Sequence, residues 1–437
     1  MGGGLMQLVA YGAQDVYLTG SPQITFFKLV YRRHTNFAVE SIQQVFNGTP
    51  GFGKKASATI SRNGDLITQI FLEIKVPSLK EMQPDNFTNT PFIETKKGWV
   101  RYVNSFAHAL VESCEIEIGG QRIDKHYSTF YEVMDELSCP EAKRRGYGIM
   151  VGKSSTKDDQ APYDANQNYN VDTHLGAAGE MTYYLPLRFW FNKSPGLALP
   201  LISLQYHEVK LQFAFEAFAK LINWRMVATD AVGQPKPPVN GELVWNDMNL
   251  SSDKPNKLAN FSQDASIALY VDYVYLDTDE RRRFAQTSHE YLIEQLQHTG
   301  LESYQLAINN KRSEKILLNY NHPCKELIVC AQSETSRAAN QHFDFGENVQ
   351  QRSSTGDPTI KGYDYVASAK LLLNGHERFS EREGSYFRLV VPFQCHTRIP
   401  TRHVYCYSFA IRPEEHQPSG SCNFSRIDNA SLHLTFG

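Results

Sequence analysis

The chain has 437 residues and a formal net charge of −3. It therefore lacks the excess of Lys and Arg that direct packing against nucleic acid requires. The length exceeds what a single core fills, so two domains of about 200 residues are expected.

Residues 1–26 are glycine-rich, with a short apolar stretch, Leu5, Met6, Leu8 and Val9, before Gly12. They read as an arm that docks onto something else. Position six of a myristoylation motif is Met6, not Ser or Thr, so Gly2 is no lipid acceptor. Strand-like runs follow at 26–30, 38–46, 56–60 and 67–76. The run 113–118 meets Gly119-Gly120, a pair that tolerates the positive φ angles of a tight hairpin. Residues 139–181 are polar and glycine-containing and read as a long loop. Strands are then expected at 183–191 and 207–213, a second polar loop over 217–264, and an alternating strand over 266–276. Residues 277–288 carry Arg281-Arg282-Arg283 and read as a charged linker or short helix.

A second series starts near Glu290. It has strands at 315–320, 326–330, 369–373, 386–392 and 404–411, a polar loop over 331–363, and an Asn374-Gly375 turn. This turn lies 255 positions after Gly119 and is flanked in the same way. Residues 194–213 also lie without a gap over 417–436, 223 positions on, with Val209, Leu211 and Phe213 against Leu432, Leu434 and Phe436. The difference gives the first copy 32 extra residues between its hairpin and this strand. A duplicated β domain elaborated by loops is the simplest reading. Aromatic residues make 12% of the chain, in short runs broken by Gly, Pro, Asn and Ser, which favours an all-β sandwich over alternating βαβ units.

Seven scattered cysteines suit reduced thiols in a cytoplasmic fold better than a disulfide framework. No apolar run reaches the ~20 residues of a membrane span, and the opening residues do not read as a signal peptide. Cys395, His396, His403 and Cys406 are the right residue types for zinc, but their spacing matches no strong zinc pattern. His207-Glu208 and His289-Glu290 lack the second histidine of a metalloprotease helix, because Leu211 and Ile293 stand there. No nucleophile elbow or phosphate-binding loop is present. The basic runs 143–145 and 281–283 read as solvated or salt-bridged faces. Glycosylation sequons at Asn47, Asn86, Asn192, Asn249, Asn260, Asn423 and Asn429 read as chance in a cytosolic chain. No catalytic, cofactor or metal residue is assigned.

The strings 11–41 (YGAQDVYLTGSPQITFFKLVYRRHTNFAVES), 61–68 (SRNGDLIT), 115–127 (EIEIGGQRIDKHY), 194–211 (SPGLALPLISLQYHEVKL), 289–297 (HEYLIEQLQ) and 418–432 (PSGSCNFSRIDNASL) resemble the major capsid proteins of chloroviruses and other nucleocytoplasmic large DNA viruses. The resemblance implies an all-β double jelly roll of two tandem eight-stranded sandwiches. It implies homotrimers of pseudo-sixfold outline that tile an icosahedral shell beside neighbouring capsomers, assembled in the host cytoplasm. The arm would reach minor capsid proteins and an inner membrane, with no direct contact to nucleic acid. The implied division is an arm at 1–26, a first jelly roll at 27–277, a linker at 278–289 and a second jelly roll at 290–437. Family members continue to a closing strand after the one ending at Phe436, so the second sandwich is expected to be one strand short, and truncation of the sequence is the preferred explanation. The alternatives are a minor capsid paralogue and a carbohydrate-binding or cupin-like jelly roll.

Overall fold

The computed structural model describes residues 3–23, 26, 29, 31–77, 98–153, 181–226, 265–304, 312–338, 340–346 and 364–436. The expected polar loops therefore lie largely outside the described residues, at 154–180, 227–264 and 347–363.

The first half of the chain is a sandwich of two antiparallel sheets. One runs in the order Phe37–Gln44, Ser266–Leu276, Leu66–Val76, Met181–Pro186, with the short Leu199–Pro200 strand also on Leu66–Val76. The other runs Phe46–Asn47, Lys55–Thr59, Val209–Phe215, Val111–Ile118, Gln121–Tyr127. Alternation sets the faces. In Leu66–Val76 the side chains of Ile70, Leu72, Ile74 and Val76 are buried while Gln69 and Lys75 point out. In Val209–Phe215 the buried set is Val209, Leu211, Phe213 and Phe215. Each such side chain contributes about 1.5–3 kcal/mol by leaving water. A one-residue slip would turn the whole set outward, so the register is fixed.

The second half repeats one of these sheets. Arg312–Leu317, Ala430–Phe436, Val366–Leu373 and His376–Glu377 lie side by side, with Arg382–Glu383 also on Val366–Leu373. Its central strand buries Leu432, Leu434 and Phe436. Ala430 sits opposite the residue before its hairpin turn, as Val209 does, so the counterparts in the sheet are Leu211, Phe213 and Phe215, two residues on from the gapless sequence alignment. The facing sheet holds Glu326–Cys330 against Val404–Ser408. In the first sandwich the strand Ser266–Leu276 lies between Phe37–Gln44 and Leu66–Val76. Among the described residues of the second sandwich no strand takes that place. A cleft of about 1750 Å³ opens there along the stretch 292–304, which lies in no strand, lined by Leu292, Ile316, Leu327 and Leu432 of the second sandwich and by Phe130 and Val133 of the first among others. The buried core nonetheless runs continuously from one sandwich into the other.

Several expectations fail locally. Of residues 26–30 only Phe26 and Leu29 are described, and both are exposed and outside any strand. The 386–392 stretch is helical, as Tyr386–Val390 and Val391–Cys395. Its β-branched and aromatic residues suggested a strand, but Phe387 and Val391, four positions apart, share the buried side of a helical turn. Residues 139–153 are not loop. They follow the helix Ser128–Ser138, and most of them form the helix Glu141–Val151. At 277–288, read as a charged linker or short helix, the helix forms, as Thr278–Gln286, capped by Asp277, whose carboxylate accepts the Glu280 N–H at 3.0 Å.

Candidate functional site

The helix Ser128–Ser138 leaves the hairpin strand Gln121–Tyr127 and crosses toward the second sandwich. Its residues 132, 135 and 136, spaced by three and four, bring three carboxylates to one side. Glu132, Asp135 and Glu136 are all buried. Uncompensated, such a group would be prohibitively costly. The helix-period signal is present in the sequence, but charged residues on a buried face are read as a solvated surface unless their partners are known.

Those partners come from both halves. Lys153, just past the next helix, places its ammonium 2.9 Å from Glu132 Oε1, 2.7 Å from Asp135 Oδ2 and 2.6 Å from Glu136 Oε1. From the second sandwich, Arg402 Nε lies 3.0 Å from Glu132 Oε1. Arg398 donates from Nε to the Glu136 carbonyl at 2.9 Å and from a terminal nitrogen to the Asp135 carbonyl at 3.2 Å. Its own N–H donates to the Leu137 carbonyl. These two carbonyls and that of Leu137 belong to the C-terminal turns of the helix, where a cation also meets the negative end of the helix dipole. Thr401 donates both its N–H, at 2.9 Å, and its hydroxyl, at 2.7 Å, to Glu136 Oε2. His108 Nδ1 sits 2.7 Å from Glu132 Oε2, and its Nε2 2.9 Å from the Tyr147 hydroxyl.

Three carboxylates thus face three cations, Lys153, Arg398 and Arg402. Burial acts to raise the Glu132 carboxyl, but Lys153 and Arg402 outweigh it and hold the group well below the usual carboxylate range. Glu136 obeys the same balance and is held at about 2. Carboxylate oxygens of Glu132, Asp135 and Glu136 lie close enough together to hold a metal ion. The Lys153 ammonium already contacts all three, so the cluster is built as an ion-pair junction.

Other contacts across the junction are polar and specific. Asn340 donates to the Ala219 and Ile222 carbonyls, each at 2.9 Å. His342 Nε2 lies 2.7 Å from the Lys220 carbonyl. The Leu296 N–H donates to Asp124 at 3.0 Å, and Glu294 joins Lys193 of the first sandwich to Lys325 of the second. Together with the ion pairs, these contacts join the two sandwiches through one continuous core.

The residues weighed for zinc are directed elsewhere. His396 is held between Glu326 Oε2, at 3.1 Å, and Glu414 Oε1, at 2.9 Å. His403 faces Asp364, and Cys406 is buried near Cys330 and Cys395. Glu208 is exposed and pairs with Lys210, and His289 packs on Phe284. Arg281 pairs with Asp65 at 2.8 Å, while Arg282 and Arg283 face solvent, as do Lys143 and Arg145. The sequon residue Asn192 is buried, and its side chain donates to the Thr68 carbonyl and accepts the Phe189 N–H.

Comparison with known proteins covers both halves. Residues 25–277 match the family described as major capsid protein N-terminus, and residues 280–437 match the large eukaryotic DNA virus major capsid protein family. The chain is 44% identical to the major capsid protein of Pyramimonas orientalis virus, over 99% of this chain and 92% of the relative. It is 42% identical to that of Paramecium bursaria Chlorella virus 1, over 100% and 88%. Among solved structures, a chain of the PBCV-1 virus capsid matches with a TM-score of 0.68 and 37% identity, covering 94% of this chain and 87% of that one. The Faustovirus major capsid protein shares the fold, with a TM-score of 0.62 at 11% identity.

Proposed function

This chain belongs to the major capsid proteins of large eukaryotic DNA viruses, and we propose that it works as a homotrimer in which three chains present six similar sandwiches. It is a structural component of the virion's capsid shell and not an enzyme. The observation that carries the trimer reading is the buried junction between the sandwiches. A chain whose two similar units are locked at one angle offers three repeats of a two-unit body, and a threefold ring of such bodies has a nearly sixfold outline suited to hexagonal tiling.

The division follows the same logic, with an arm at 1–26, a first jelly roll at 27–277, a linker at 278–289 and a second jelly roll at 290–437. The arm carries Leu5, Leu8, Val9, Tyr17 and Leu18 exposed, and none of its described residues joins the core. Such apolar exposure marks a docking segment. We assign it to contacts beneath the shell, with minor capsid proteins and an inner membrane, while the trimer flanks meet neighbouring capsomers during assembly in the host cytoplasm. Light scattering of purified protein tests the trimer, with three times the chain mass expected. A strictly monomeric protein at micromolar concentration overturns it.

A further inference from the structure

The strands Pro323–Cys324 and Cys422–Asn423 pair for only two residues, and their register sets Cys324 directly opposite Cys422. The Phe424 N–H donates to the His322 carbonyl at 3.1 Å. Residues 322 and 424 therefore occupy a hydrogen-bonded position of the ladder, of which only this bond forms because the His322 N–H turns to Ser425 Oγ at 2.7 Å, and in an antiparallel ladder 324 and 422 are the next position of that kind. Opposed residues project to one face with Cα atoms about 5.5 Å apart, inside the ~4.4–6.8 Å range of disulfides. Both thiols are half-buried. The Cys324 thiol donates to the Glu326 carbonyl at 3.1 Å.

We propose that Cys324 and Cys422 form a reversible disulfide, open in a reducing cytosol and closed once the shell meets an oxidising medium. The other cysteines offer no comparable pair within a strand register, and Cys114 and Cys406 are buried. The oxidant is a small-molecule disulfide. The Cys422 thiolate, having lost its proton, attacks one sulfur of that disulfide, forming a mixed disulfide and releasing one small thiolate. The Cys324 thiolate then attacks the Cys422 sulfur, closing the Sγ–Sγ bond and releasing the second. Two electrons pass from the protein thiols to the small disulfide, and the two protons end on the two small thiols. Burial raises the Cys324 thiol to about 12 and raises that of Cys422 as well, so closure is slow at neutral pH and faster in mild alkali.

The bond would tie the approach to Glu326–Cys330 to the approach to Ala430–Phe436, and so join the two sheets of the second sandwich at one end. Cβ atoms of a hydrogen-bonded pair must close by more than 1 Å to reach the ~3.8 Å of a disulfide, which makes the bond easily reduced.

The full chain, in its native assembly, is incubated with glutathione disulfide at pH 8, quenched in acid and alkylated. It is then digested without reduction using trypsin and a Glu-specific protease, which separates Cys422 from Cys406. The expected result is a Cys324–Cys422 linked peptide by mass spectrometry and an unfolding temperature higher by about 5 °C or more. Both should vanish with dithiothreitol and in Cys422→Ser. Alkylated or glutathionylated Cys324 and Cys422 with no link between them, or a link from Cys422 to any other cysteine, would overturn the proposal.

Discussion

Glu136 and Thr401 lie 265 positions apart, yet both the backbone N–H and the hydroxyl of Thr401 donate to the same Glu136 carboxylate oxygen, at 2.9 and 2.7 Å. One helix of the first sandwich thereby holds a turn of the second. Removing Glu136 leaves Arg398 and Lys153 in a buried site short of one negative charge. Breaking one side of a buried pair costs about 3–5 kcal/mol, so Glu136→Ala should lower stability by that amount in urea unfolding. Arg398→Ala should be similarly harmful, and the double variant less harmful than the sum by at least about 0.5 kcal/mol. Strict additivity would show that the two groups do not act together.

Acid should loosen the junction before it affects the sheets. Burial tends to raise the Glu136 carboxyl, but Lys153 and Arg402 bring it to about 2, against an ordinary value of 4.5. A depressed carboxylate contributes stability that is complete above the unfolded value and is lost as pH falls through the folded one. The window is therefore pH 4.5 down to 2, and about 3 kcal/mol is at stake. Glu132 acts in the same direction. Unfolding free energy measured from pH 6 to pH 3 should fall steeply in the native chain and less steeply in Glu136→Gln.

His396 has the opposite sign. Its burial lowers the imidazole's affinity for a proton, but hydrogen bonding and charge from Glu326 and Glu414 raise it to about 9. The stabilisation is complete below pH 6.5 and lost as pH rises to 9, up to about 3 kcal/mol. His396→Gln should destabilise the chain strongly at pH 6 and little at pH 9.5. A constant penalty across that range would rule out a protonated His396.

Two glycines of similar backbone should respond differently to alanine. Gly152, with φ +74°, ends the helix Glu141–Val151, and a Cβ there would meet the buried ring of Tyr183 at 2.7 Å. Gly375, with φ +83°, has open space around it. Gly375→Ala should cost about 1–2 kcal/mol from the left-handed backbone alone. Gly152→Ala should cost a further 1–3 kcal/mol or so, from overpacking. Thermal unfolding of the two variants side by side decides it.

The strands that the sequence announced are those with one buried face. Residues 70–76, 209–213 and 266–273 alternate between buried and outward side chains, and Gly119-Gly120 and Asn374-Gly375 adopt the positive φ angles a tight hairpin needs, at +61° and +80° and at +50° and +83°. The helix 128–138 carries no sequence signal of a leucine stripe because its buried side holds Glu132, Asp135 and Glu136, and the helix 141–151 carries none because it buries little beyond Gly148 and Val151. Residues 386–392 were misread because valine, tyrosine and phenylalanine favour strands only when a neighbouring strand is there to pair with them.

Alternation and turn chemistry are local properties, set by the backbone of a few residues, and the sequence alone determined them: two copies of a β sandwich, their hairpins and the buried faces of their long strands. Which cation neutralises Glu136 is not local. Lys153 is 17 positions away and Arg398 262. A buried carboxylate is tolerable only where such charges converge. Only the tertiary structure brings them together, and with them the junction that makes two sandwiches one building block.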